Sequence, residues 1–267
     1  MVTRSQLVSH RFRGFSPHEN TIEGLNAALD FGVNQVEFDI RVAKCGTPLI
    51  YHDEAAKIES GRLRHICDVM ARDRHSLGGV FTHMPTAEAL FEAAAKHSNK
   101  AKLLIDMKDA GFEDMLVYLA KANDLMEQIV WVSWLPETLY AIRDLAPNAE
   151  LTLSHWCKNP GTGTRAIHRV FEAPNGEIPR PQRRQVVGER SGWFVNRPLS
   201  GEIRDLVQNV CVPATMVTRE LVENYQADGI KVSAFSYVTR EGLDAAEVAL
   251  ELDDYFIDAK VVFDSFS

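Results

Sequence analysis

Short apolar runs rich in β-branched residues recur along this chain, each followed by a longer segment of helical period, and that alternation constrains the fold more than any other feature. The runs predict strands at Leu7 to Ser9, Val33 to Ile40, Lys102 to Met107, Ile129 to Ser133, Glu150 to Ser154, Val210 to Pro213, Ile230 to Phe235 and Tyr255 to Ile257. Helices are predicted at Thr21 to Phe31, Thr86 to Ala95, Phe112 to Ala122, Pro136 to Leu145, Thr218 to Ala227 and Arg240 to Leu250. Repeated βα units of this kind build a parallel sheet covered by helices, and about eight of them predict an α/β fold, a (β/α)8 TIM-type barrel.

Length alone cannot set the number of domains, because α/β barrels of roughly 250 residues are commonly one unit. The alternation runs through all 267 residues, so one domain is expected over 1-267, broken by insertions at about 54-84 and 156-199. Prolines 85 and 136 stand where helices usually begin, Thr21 offers a partial N-cap signal, and Asp228-Gly229 closes a helix before a strand. Long loops on a barrel concentrate at the C-terminal ends of the strands, so both insertions are expected on the catalytic face.

Composition excludes several classes of function. A net charge of −8 without a run of lysine or arginine is wrong for a general nucleic-acid binder, which needs clustered positive charge. The local exception, Arg180, Arg183, Arg184 and Arg190, reads as a solvated loop. No stretch approaches the roughly 20 apolar residues of a membrane span, and Met1 to Gln6 lacks the basic and apolar regions of a secretion signal. Cys45, Cys67, Cys157 and Cys211 form no C-x-x-C pair and are expected to be reduced thiols; a cytoplasmic location follows.

Four clusters carry chemistry. At Ser9-His10-Arg11 a strand ends in a histidine and an arginine, the place where barrels mount catalytic groups. At Glu37-Phe38-Asp39 two carboxylates at i and i+2 of an apolar strand share one face, where they would repel unless a cation neutralises them. With no thiolate nearby, that favours one hard divalent cation, Mg²⁺ or Ca²⁺. Leu49-Ile50-Tyr51-His52-Asp53 repeats the pattern of a strand ending in histidine, and two such histidines suit a general acid and a general base. At Asp106-Met107-Lys108 the carboxylate completes a metal site and the ammonium suits a phosphate oxygen; an ion pair within the strand is the plainer reading.

The order and spacing of His10-Arg11, Glu19-Asn20-Thr21, Glu37-Phe38-Asp39, Lys44-Cys45-Gly46-Thr47-Pro48, His52-Asp53 and Asp106-Met107-Lys108 resemble the glycerophosphodiester phosphodiesterase family, within the phospholipase C-like phosphodiesterases. Resemblance is strong over Leu7 to Asp53, moderate to about Asn148 and weak from Trp156 to Leu206. Trp131 to Leu139, Gly229 to Phe235 and Tyr255 to Asp258 also look like segments of the family. Phe12 replaces the glycine of its His-Arg-Gly, His18 replaces a proline, Asp106 replaces the usual glutamate, and Phe235 stands where the family often has tryptophan. The Asp-x-Lys form also resembles the sphingomyelinase D toxins of the same superfamily, which are secreted and disulfide-bonded.

The resemblance implies metal-dependent hydrolysis of a glycerophosphodiester to glycerol 3-phosphate and an alcohol. Glu37, Asp39 and Asp106 would hold the cation, Arg11 and Lys108 the phosphate, and His10 and His52 would divide the proton transfers, with Phe235 touching the alcohol. The attacking oxygen is water or a hydroxyl of the substrate, the second giving a cyclic phosphate. Two further readings stand beside it: the same mechanism on a lysophospholipid or sugar phosphodiester, and a barrel that binds a phosphorylated ligand without turnover. The partner in each case is a small molecule; oligomeric state is not legible.

Overall fold

A computed structural model describes residues 1–154, 199 and 201–266. In chain order its elements are β1 (Leu7–His10), α1 (Ile22–Asp30), β2 (Gln35–Val42), β3 (Pro48–Ile50), β4 (Ala55–Lys57), β5 (Leu63–His65), α2 (Arg74–Leu77), α3 (Ala87–Lys96), β6 (Lys102–Met107), α4 (Glu113–Ala122), β7 (Ile129–Ser133), α5 (Pro136–Leu145) and β8 (Glu150–Ser154). There follow α6 (Gly201–Leu206), β9 (Asn209–Pro213), α7 (Arg219–Gln226), β10 (Lys231–Tyr237), α8 (Arg240–Leu250), β11 (Asp254–Ile257) and α9 (Lys260–Asp264).

Strands β1, β2, β6, β7, β8, β9, β10 and β11 pair in parallel in that order, and β11 returns to β1, so the sheet closes as the (β/α)8 barrel expected. Closure removes the sheet edges that would otherwise need protection. The strand carrying Leu49 and Ile50 is not a barrel member: β3 runs antiparallel on β2, with Ile40 opposite Ile50. It therefore runs back along β2 and brings Tyr51 to the level of Asp39, whose carbonyl oxygen accepts from the Tyr51 N–H at 3.0 Å.

Period-2 alternation divides each strand between two cores. One set of residues packs against the surrounding helices, with Leu7, Val36, Phe38, Trp131 and Tyr255 fully buried. The other set, Val8, Leu104, Val130, Val132, Cys211 and Phe256, fills the barrel interior beneath its polar mouth. Burial of this apolar area is the main favourable term, at roughly 25 cal/mol per Å².

The helices are cut by their caps. Thr21, Thr86, Thr218 and Thr239 accept hydrogen bonds from the backbone N–H groups of Gly24, Ala89, Leu221 and Gly242, so the partial signal at Thr21 is a complete cap. Pro136 opens α5 at its first turn, whereas Pro85 lies one residue before the Thr86 cap. The insertion at 54-84 folds as the β4–β5 hairpin, short 3₁₀ turns and α2 around its own small core of Ala56, Ile66, Val69 and Phe81. The insertion at 156-199, with its arginine cluster and Cys157, lies outside the described residues apart from Leu199. Cys45 and Cys211 are free thiols. Among the described residues no helix is long and apolar enough to cross a membrane.

Candidate active site

Strand register assembles the mouth. His10 pairs with Glu37 across β1 and β2, and Asp39 pairs with Asp106 across β2 and β6, so four of the residues read from sequence arrive as two neighbouring pairs, two residues apart along β2. Glu37, Asp39 and Asp106 are all buried and each offers an oxygen within 4.8 Å of the others. His10 Nε2 lies 3.7 Å from Glu37 Oε2.

Two cations share this carboxylate cluster. Lys108 Nζ is 2.9 Å from Asp39 Oδ1 and also pairs with Asp106, so the plainer reading of an ion pair is present together with the metal-site reading. Arg11 Nε is 3.2 Å from Asp39 Oδ2, and its Nη1 donates to Glu19. Asn20, at a left-handed φ of 58°, donates from Nδ2 to Asp39 Oδ2. Three carboxylates against two cations leave the cluster anionic, and its electrostatics register the imbalance. Burial, with Asp39 alongside, pushes the Glu37 carboxyl well above the usual range. Burial opposes ionisation of Asp39 too, yet Lys108 and Arg11 hold it well below its ordinary value.

Those features fit a hard divalent cation. Asp106 Oδ1 is a buried carboxylate oxygen that accepts no hydrogen bond, Asp39 Oδ1 meets only the Lys108 ammonium, and all candidate donors are oxygens. The two positive charges of such a cation would favour the ionised form of Glu37 beside Asp39.

Each histidine is held through Nδ1. His10 Nδ1 lies 2.6 Å from Asp258 Oδ1, and Asp258 also accepts from Arg13 Nη1 and Ser236 Oγ. Burial would raise the Asp258 carboxyl, but the His10 hydrogen bond and its other donors hold it far below the usual range. His52 Nδ1 is 2.7 Å from Asp53 Oδ1. Burial lowers both imidazoles from their ordinary value. With Nδ1–H given to a carboxylate, the neutral ring keeps its lone pair on Nε2. Phe235 is half-buried with its ring centroid 6.4 Å from that of His10, and Phe256, 5.8 Å from His10 and 6.5 Å from Phe235, packs on the same side.

Phe12, at a left-handed φ of 59° where glycine is usual, is fully buried against Phe38, its ring filling space under α1. Gly24 of α1 makes room for it: a Cβ there would meet Phe12 Cβ at 2.9 Å.

Sequence reasoning missed Asp258, Ser236 and Arg13 as parts of the site. Asp258 carried a signal, since it follows an apolar strand just as His10 ends one; Arg13 and Ser236 carried none, because only folding brings them to Asp258.

The class these features define is the barrel phosphodiesterases. The family described as the glycerophosphoryl diester phosphodiesterase family matches residues 8–258, and the chain belongs to it, which makes it a phosphoric diester hydrolase. A glycerophosphodiester phosphodiesterase of Caldanaerobacter subterraneus subsp. tengcongensis is 22% identical over 167 residues, 58% of this chain and 68% of that protein. The fold is similar to a glycerophosphodiester phosphodiesterase of Thermotoga maritima, with a TM-score of 0.67 at 19% identity over 100% of both chains. It is also similar to an Oleispira antarctica phosphodiesterase solved with the product sn-glycerol-3-phosphate, with a TM-score of 0.62 at 16% identity over 97% of this chain and 96% of the other. At these identities the structural likeness speaks for the fold alone.

Proposed function

We propose that the chain hydrolyses a glycerophosphodiester to glycerol 3-phosphate and an alcohol, with Glu37, Asp39 and Asp106 holding one divalent cation, Mg²⁺ or Ca²⁺. The observation that carries this reading is the buried carboxylate trio with His10 Nε2 3.7 Å from one of its oxygens. Family membership and the product held by the Oleispira relative support the substrate class.

A cation held by Glu37, Asp39 and Asp106 would supply Lewis-acid polarisation of a phosphoryl oxygen. Arg11 and Lys108 bind the remaining phosphoryl oxygens and offset the charge that builds on them in the transition state, within a buried site where such contacts are strong. His10 and His52 divide the proton transfers at Nε2: one accepts the proton of the attacking oxygen, the other donates to the departing alcohol. Asp258 and Asp53 fix ring orientation and tautomer through Nδ1–H. Phe235 and Phe256 shield one side of His10 from water and present an apolar wall to the substrate.

The test is release of glycerol 3-phosphate from glycerophosphocholine by chelated protein, before and after Mg²⁺ or Ca²⁺ is returned. Metal-restored release is the expected result. Absence of release with either ion, with turnover of a lysophospholipid or sugar phosphodiester instead, would overturn the substrate class while keeping the mechanism.

A further inference from the structure

The inward face of β2 does not end with Glu37 and Asp39. Two residues on, at the same period, stands Arg41, a guanidinium that is 1% exposed. A buried charge of this kind is tolerated only when paired and fully hydrogen-bonded. Its Nη1 donates to Asp109 Oδ1 at 3.0 Å, and Asp109 Oδ2 accepts from the Val42 backbone N–H at 2.8 Å. Its Nε donates to the carbonyl oxygen of His52 at 2.9 Å.

These bonds join three chain segments at one point. Asp109 lies just beyond Lys108, whose N–H is bonded to Ile40 O, so the exit of β6 is tied to β2. Tyr51 N–H donates to Asp39 O at 3.0 Å, which ties the exit of β3 to the same strand one residue before His52. Arg41 supplies the second fastening, at the His52 carbonyl. His52 otherwise has little to hold it: its side chain is 28% exposed and its Nδ1 partner, Asp53, is 67% exposed.

We infer that Arg41, fixed by Asp109, is a positioning residue that sets the backbone of His52 and so the place of its imidazole over the carboxylate cluster. Its burial keeps it from substrate, and it acts only through His52. A planar fork suits this task, one edge meeting a carbonyl and the other a carboxylate; a lysine ammonium keeps the charge but loses that geometry. The inference rests on the proposed role of His52 in proton transfer.

The experiment is a double-mutant cycle with Arg41→Lys, His52→Ala and the pair, following release of glycerol 3-phosphate from glycerophosphocholine, whose alkyl leaving group needs the general acid as well as the base. Arg41→Lys is expected to lower kcat about ten- to hundredfold, the scale of a misplaced catalytic group. KM, and metal affinity measured without substrate, are expected to stay within about twofold, since binding is untouched. In the His52→Ala background the same substitution should change nothing further. Asp109→Asn, which keeps the shape of the clamp and removes its charge, should give a milder version of the same kcat-only loss if Arg41→Lys folds poorly. An additive loss in the double variant, or a parallel fall in kcat and metal affinity, would overturn the inference and leave Arg41 a structural residue. Wild-type turnover by His52→Ala alone would instead overturn the proposed role of His52.

Discussion

At the scale of residues, His52→Ala and Glu37→Ala are each expected to remove nearly all turnover while circular dichroism stays that of the folded protein. Near wild-type rates in either would show that the assigned role is wrong. Asp258→Asn keeps the shape of the carboxylate but not its charge behind His10, and loss of such a supporting group lowers activity by about 10–100-fold. Burial lowers both imidazoles, so the neutral base survives to more acid pH than in a free histidine. The acid limb of the pH–rate profile is therefore expected below histidine's ordinary value of about 6.5, and a bound cation would move it in the same direction. A limb at or above that value would contradict the burial seen at the mouth. The same shift has a sign for stability: the folded state binds protons less readily, so this contribution is present above the ordinary value and lost as pH falls below it.

At the scale of elements, the fit of β1, its loop and α1 is tested by Gly24→Ala. Helix propensity alone would favour alanine by about 1 kcal/mol. The added Cβ, however, would meet Phe12 Cβ at 2.9 Å and Ser16 Oγ at 3.1 Å, and Phe12 is fully buried with no room to retreat. Overpacking of this kind costs about 1–3 kcal/mol, so a net fall in the thermal midpoint is expected; a rise would mean the loop yields. Most elements were legible in the sequence because periodicity and caps are local: the helix starting at Pro136 and the strand from Ile129 to Ser133 stand where the pattern puts them. The direction of β3 was not, because Pro48 to Ile50 is apolar in either orientation and only pairing with β2 makes it antiparallel.

At the scale of the whole molecule, a cation held by the proposed ligands from β2 and β6 would stabilise the closed barrel, because the unfolded chain does not bring those carboxylates together. Saturating Mg²⁺ or Ca²⁺ at 100 times Kd is expected to add about 2.7 kcal/mol. Differential scanning calorimetry should show this as a raised midpoint in the native protein and no shift in Glu37→Gln. An equal shift in the variant would place the ion elsewhere.

The chain by itself determined the barrel and the chemistry of its mouth. Alternation of strand and helix period is a local property, and so is the presence of His10, His52, Asp106 and Lys108 at or near strand ends and of Glu37 and Asp39 on one face of a strand. What only tertiary structure decided are the contacts between residues far apart in sequence. Parallel register sets Asp39 beside Asp106, closure of β11 on β1 brings Asp258 to His10, and the return of β3 puts the His52 carbonyl on Arg41. Sequence shows which groups stand at strand ends; which of them meet depends on backbone hydrogen bonds that exist only once the sheet has closed.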